Sequence, residues 1–181
     1  MIPAKRRFSG FLGLEGEDKM ELSGSCHCKA ITFTLESHTH HPFMVCYCSI
    51  CRKTQGGNGG AVNIMGEKDT LKVNGGERLS VYQARIEMPD GRVEQSPGQR
   101  HFCSRCGSAL WMWDPRWPEL VHPFASAIDT PLPTPPERVH IMLNYAPVWV
   151  FVPEGPGHVH FKEYPEESIE DWHKTRGLWQ D

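Results

Sequence analysis

The chain has no apolar run close to the ~20 residues that a membrane-spanning helix needs, so no membrane partner is expected. It has no basic excess either. Lys and Arg number 19 against 22 Asp and Glu, for a net charge of −3. A chain with that balance lacks the positive field that drives phosphate-backbone binding, and no nucleic-acid partner is expected. The one basic run, KRR (5–7), is followed by Glu15, Glu17, Asp18 and Glu21. The start shows no basic-then-apolar secretory pattern, and a cytoplasmic location is expected. Long helical periodicity is scarce, while 17 glycines and 15 prolines punctuate the 181 residues. Such punctuation favours turns and short strands over helices. An even cysteine count is also missing: seven cysteines cannot close a disulfide framework without a remainder. In a reducing compartment, clustered cysteines read as metal ligands or catalysts.

What is present is mostly β. Residues 1–21 form an expected N-terminal extension without sustained periodicity, in which Phe8, Phe11 and Leu12 could pack. Ile31, Phe33 and Leu35 alternate with Thr32, Thr34 and Glu36, the pattern of a half-buried strand. SHTHHP (37–42) reads as a solvated turn and QGGNGG (55–60) as a flexible loop. AVNIM (61–65), TLKVNGG (70–76), SALWMWD (108–114), VHIML (139–143) and VWVFV (148–152) read as strands. LSVYQARIEMPDGRVEQ (79–95) reads as a hairpin with PDG at its turn. TPLPTPPE (130–137) is too rich in proline for a helix or a strand interior. A C-terminal helix is predicted from Ser168 as N-cap to a stop at Gly177, with Glu170 and Asp171 in its first turn and Lys174 and Arg176 in its last. Ile169 and Trp172 would face the body, and Trp111, Trp113 and Trp149 are expected in the core.

The cysteines fall into a pair, Cys26 and Cys28; a triplet, Cys46, Cys48 and Cys51; and a second pair, Cys103 and Cys106. The last pair, followed by Gly107, has the spacing of a zinc knuckle. A closed zinc site takes four ligands. The economical partition joins the two pairs into one structural site and leaves the triplet as a three-thiolate site with an open position. Two alternatives stand. The triplet could borrow a cysteine from a pair, or a histidine such as His27, His38, His40, His41 or His101 could close it.

Charge indicates what an open site could do. Three thiolates and one Zn²⁺ leave a centre of about −1, a weak Lewis acid. Such a soft centre suits a substrate sulfur, whose thiol it would bind as thiolate. Arg52 and Lys53, just after the triplet, could offset the charge or bind carboxylates of the ligand, and Arg100 is a further candidate.

GSCHC (24–28), VCYCSICRK (45–53), FCSRCGSAL (102–110) and HIMLNYAPVW (140–149) resemble the glutathione-dependent formaldehyde-activating enzyme family, which also includes centromere protein V-like proteins. The resemblance runs from Leu22 to Val150. It implies a mainly β, Mss4-like zinc-binding fold with short helices. The zinc domain is placed over 22–163; the extension at each end, the C-terminal one a helical segment over 164–181, departs from the family. The resemblance also implies two zinc ions per chain: a structural one on Cys26, Cys28, Cys103 and Cys106, and a catalytic one, open to partial occupancy, on Cys46, Cys48 and Cys51. The implied activity is that of a carbon–sulfur lyase forming S-hydroxymethylglutathione from glutathione and formaldehyde, or acting on a related thiol adduct or specialised metabolite. A homodimer is compatible with it. The alternative is a non-catalytic, zinc-stabilised interaction module. Tyr47 stands where the family often has His, and the segment IEMPDGRVEQSPGQ (86–99) and the TPLPTPP loop are departures that bear on the mouth of the site.

Overall fold

The structure, a computed structural model, describes residues 19–88 and 90–181. Residues 1–18, with the KRR run, Phe8, Phe11 and Leu12, lie outside the described residues. The elements in chain order are β1 (Met20–Ser25), β2 (Thr32–Ser37), β3 (Met44–Cys46), α1 (Ser49–Gln55), β4 (Ala61–Val62), β5 (Gly66–Glu67), β6 (Lys72–Asn74), β7 (Leu79–Glu87), β8 (Val93–Cys103), β9 (Ala109–Trp113), β10 (Leu120–Pro123), β11 (Arg138–Ile141), β12 (His158–His160) and α2 (Ile169–Thr175). The fold is mainly β with short helices and a C-terminal helix, as expected.

Three sheets form. The orders are β1-β2-β6, β5-β10-β9-β8-β7 and β12-β11-β3-β4. The first two are antiparallel throughout. In the third, β11 runs parallel to both β3 and β12. Ile31, Phe33 and Leu35 bury their shared face with Leu22, Ile64, Leu110, Trp111 and Val121. Gly24 is required in β1, because a Cβ there would stand 2.3 Å from the Phe33 ring and 2.6 Å from the Ala127 carbonyl oxygen. A second cluster holds Phe43, Val139, Ile141 and Trp172. Trp172 stacks on Phe43 with ring centroids 3.8 Å apart, so α2 packs directly on the third sheet.

α2 forms as its caps predict. The Asp171 N–H donates to Ser168 Oγ at 3.0 Å, and Glu170 and Asp171 occupy the first turn. Its last turn carries His173 and Lys174, and Arg176 is the C-cap. Arg176 reaches Glu137 and Glu167, and Trp172 Nε1 donates to Glu137 at 2.8 Å.

Four expectations are corrected. Met20 and Glu21, read as extension, are strand residues paired with Ser37 and Glu36. The SHTHHP segment is no solvated turn: His40 and His41 are 3% and 7% exposed, buried under α2, and the His41 N–H donates to His173 Nε2. Residues 148–152 form no strand, and Trp149 and Phe151 are 65% and 79% exposed. The apolar run follows a turn at Pro147, closed by the Val150 N–H donating to the Pro147 carbonyl at 3.0 Å. Trp111 is buried as expected, whereas Trp113 is half-buried and donates from Nε1 to the Pro118 carbonyl. β12 and α1 carry no periodic signal long enough to be read from sequence.

Candidate metal centres

The turn between β1 and β2 carries Cys26 and Cys28, and the turn between β8 and β9 carries Cys103 and Cys106. Each turn bends so that its two thiols approach those of the other turn, with Cys26 and Cys103 buried and Cys106 exposed. In the first, Lys29 takes a left-handed backbone (φ 58), and its N–H donates to the Cys26 carbonyl at 2.9 Å. In the second, Gly107 takes φ 74, the conformation only glycine adopts freely, and donates to the Cys103 carbonyl at 2.8 Å. The four Sγ atoms lie within 4.8 Å of one another. Cys26–Cys28 and Cys28–Cys103 are 3.6 and 3.9 Å apart. Four sulfurs at ~2.3 Å from one tetrahedral zinc would be separated by roughly 3.8 Å, so the donor set fits that ion. The Ile31 N–H donates to Cys26 Sγ at 3.2 Å, orienting it. Cys106, hydrogen-bonded by Ser108, is pulled down to about 5, while Cys28 is pushed up to about 11 by the neighbouring thiols and burial against a backbone hydrogen bond from Ala30 that lowers it.

The triplet is assembled where β3 runs into α1. Cys46 ends β3, Cys48 is the N-cap of α1 and accepts from the Cys51 N–H at 3.4 Å, and Cys51 is buried on the helix. A cysteine cap closes the helix start and brings the second and third thiols together. The three Sγ atoms lie within 4.8 Å of one another, and no histidine of the described residues joins them. Hydrogen bonds from Cys46 and Cys51 hold Cys48 down to about 2. Cys48, Cys51 and burial push Cys46 far up. Cys51 is lowered by Cys46 but raised by Cys48 and burial, to a net value of about 11. The three thiols thus tolerate one negative charge among them. A bound dication would displace the remaining protons.

The expected histidine ligands are placed elsewhere. His27 is exposed; His38 pairs with Glu67 at 2.9 Å; His40 and His41 cluster with His173; His101 stacks on Trp111. The two pairs and the triplet are separate groups, so no cysteine is borrowed.

Arg100, on β8, is 8% exposed, and its charge lowers Cys51. Its Nε and Nη1 are buried with no hydrogen-bond partner among the described residues. Arg52 and Lys53 are placed differently. They line a cavity of about 670 Å³ together with Cys26, Lys29 and Gln55, and the triplet does not line it.

Sequence reasoning missed three features. Tyr164, although 70% exposed, lies within the field of the triplet: partial desolvation by its neighbours, and then the charges of Cys46, Cys48 and Cys51, raise its phenol. Asp114 is buried and held by Arg116 through two bonds of 2.9 and 2.7 Å. Tyr47, between two of the thiols, turns its hydroxyl away to His140 Nδ1 at 3.0 Å, and His140 Nε2 meets His158 Nδ1 at 2.9 Å. No local signal joins these residues, which lie 93 and 18 positions apart.

Among the described residues no helix is long and apolar enough to cross a membrane. Residues 21–144 match the family model for the glutathione-dependent formaldehyde-activating enzyme. A Halomonas elongata protein named "Putative glutathione-dependent formaldehyde-activating enzyme" is 58% identical over 159 residues, covering 88% of this chain and 98% of its own. The crystal structure of a Rhodobacter sphaeroides protein has 24% identity and a TM-score of 0.47, over 61% of this chain and 91% of that one. The match over residues 21–144 and the 58% identity over nearly the whole of the Halomonas relative show that the chain belongs to the glutathione-dependent formaldehyde-activating enzyme family.

Proposed function

We propose that the protein is a zinc-dependent carbon–sulfur lyase that joins glutathione, or a related thiol, to formaldehyde in the cytoplasm. Cys26, Cys28, Cys103 and Cys106 would hold a structural zinc, and Cys46, Cys48 and Cys51 a second. The observation that carries the reading is the convergence of three thiols, with no fourth protein ligand among the described residues, beside the buried and partnerless Arg100.

A zinc held by Cys46, Cys48 and Cys51 would supply a soft Lewis acid that lowers the pKa of a substrate thiol and favours its thiolate. The chain's own residues do the rest. Arg100 brings a fixed positive charge to the triplet, offsetting the excess of thiolates. Its free Nε–H and Nη1–H groups can donate to the oxygen of the aldehyde as negative charge develops there. The S–C bond forms as the C=O π pair moves to oxygen, and the proton lost by the thiol ends on that oxygen. Tyr164, whose phenol stays protonated at neutral pH, is our candidate donor of that proton. The reverse sequence releases formaldehyde.

The test is NMR exchange between a thiol and formaldehyde in the presence of the zinc-loaded protein. Acceleration over buffer is expected, lost in a folded Cys48→Ser variant. No acceleration with any common thiol sinks the reading. The exposed Trp149 and Phe151 favour the second reading, a zinc-stabilised interaction module, and that reading requires no exchange with any thiol.

A further inference from the structure

β3 and β11 run parallel, and Cys46 at the end of β3 is paired with Ile141 at the end of β11. Both strands therefore leave the sheet at the end where the triplet forms, and the Tyr47 N–H donates to the Ile141 carbonyl at 3.1 Å. The chain that follows β11 is pinned beside that end. Met142 takes a left-handed backbone (φ 62), and its N–H donates to the carbonyl of Glu163, the neighbour of Tyr164, at 3.0 Å. Further on, Val150 packs over the loop after α1: a Cβ on Gly59 would stand 2.5 Å from Val150 Cγ2. In the same loop, a Cβ on Gly60 would stand 3.1 Å from the Tyr47 ring.

This pinned chain presents Tyr145, Val148, Trp149, Phe151 and Tyr164, all exposed. Single exposed apolar side chains are ordinary. Five of them beside one candidate reaction centre mark a binding surface. Open aromatic faces take planar or apolar groups by stacking and by burial of area.

Charge narrows the class of ligand. Residues 142–167 carry one lysine and four glutamates, so this side of the site repels carboxylates. The basic groups that could offset them are engaged or turned elsewhere. Arg116 is paired with Asp114, Arg100 is buried, and Arg52 and Lys53 line another cavity.

We propose that Tyr145, Trp149, Phe151 and Tyr164 form the rim on which the body of the substrate thiol lies, and that this thiol carries an aromatic or alkyl body in place of a peptide with two carboxylates. The inference rests on the lyase reading and names its substrate class; the bonds made and broken are those already given.

The test compares benzyl mercaptan with glutathione in formaldehyde exchange on the zinc-loaded full chain. Benzyl mercaptan is expected to react with a kcat/KM about tenfold higher or more. Trp149→Ser with Phe151→Ser changes only exposed side chains, so the thermal midpoint should hold. The double variant should raise the KM for benzyl mercaptan about tenfold and narrow its lead over glutathione. Benzyl methyl sulfide, which has no thiol to react, supplies a readout free of catalysis. It should shift the Trp149 indole N–H and the Val150 amide in NMR spectra, and bind about tenfold more weakly to the double variant. Equal selectivity in wild type and double variant, or no shift with benzyl methyl sulfide, overturns the proposal. So does dimerisation that the double variant abolishes without any response to the probe, which assigns the rim to a second copy. Binding of benzyl methyl sulfide with no exchange of any thiol overturns the lyase reading alone and keeps the rim as an apolar ligand site.

Discussion

At the scale of the residue, the site is defined by groups whose preferences are unmet inside the chain. Arg100 is the clearest. A buried guanidinium without a carboxylate partner stabilises nothing by itself. Its value lies in the negative charge it faces. Arg100→Met is therefore expected to lower thiol–formaldehyde exchange by about 10- to 100-fold, the worth of one charge-assisted donor. The thermal midpoint of the same variant should not fall. A matched loss of stability and activity would show that Arg100 serves packing alone. Tyr47 is the opposite case, a residue with every need met. Tyr47→Phe strands His140 Nδ1 in a buried position and should cost about 1–2 kcal/mol, read as a lower urea midpoint.

At the scale of the element, α2 is held by a contact that needs neutral imidazole. His173 Nδ1 bonds the Ile169 carbonyl oxygen and Nε2 accepts from the His41 N–H, so a proton added to Nε2 breaks the second bond. Burial, with the nearby His41 and Arg176, depresses His173 to about 4 against the pull of the Ile169 carbonyl, and burial depresses His40 similarly, with His41 and His173 adding. The folded value lies below the unfolded one, so the folded state binds fewer protons. The contribution is complete above about pH 6.5 and is lost as pH falls toward about 4. For His173 this amounts to about 3 kcal/mol. The expected outcome is release of α2 between about pH 6 and 4, followed by Trp172 fluorescence, with the transition moved to lower pH in a neutral His173→Gln variant.

At the scale of the whole molecule, the four-thiolate group ties the β1–β2 turn to the β8–β9 turn across about 75 residues of chain. A metal there joins the first sheet to the second, and its binding is folding energy. The triplet joins only β3 to the helix that follows it. Two zinc ions per chain are expected by elemental analysis. Dialysis against a chelator should remove one ion first, from the triplet with its three ligands, and leave the far-ultraviolet dichroism unchanged. Cys103→Ser should instead lose the folded state. Equal loss of both ions with immediate unfolding would contradict this division of labour.

Much of this was legible in the chain. The Ile31–Phe33–Leu35 alternation, the capped α2 and the PDG hairpin rest on local rules that no tertiary contact had to override. The cysteine partition was legible because ligand number is a chemical constraint that spacing can satisfy in few ways. Residues 148–152 misled, since a short apolar run reads as a strand, whereas a turn opens at Pro147. His40 and His41 misled because polar residues on a connecting segment read as solvated, and only α2 buries them.

The sequence by itself determined the β-rich class, the family and the two sets of thiols, because each is written in residues close together or in counts that chemistry limits. Only the tertiary structure decided which positive charges meet which site. Arg52 follows the triplet directly yet lines another cavity, because a helix turns each successive side chain by about 100°. Arg100, 49 residues beyond Cys51 and on a strand of a different sheet, comes within the field of the triplet through the packing of the chain and not through local sequence.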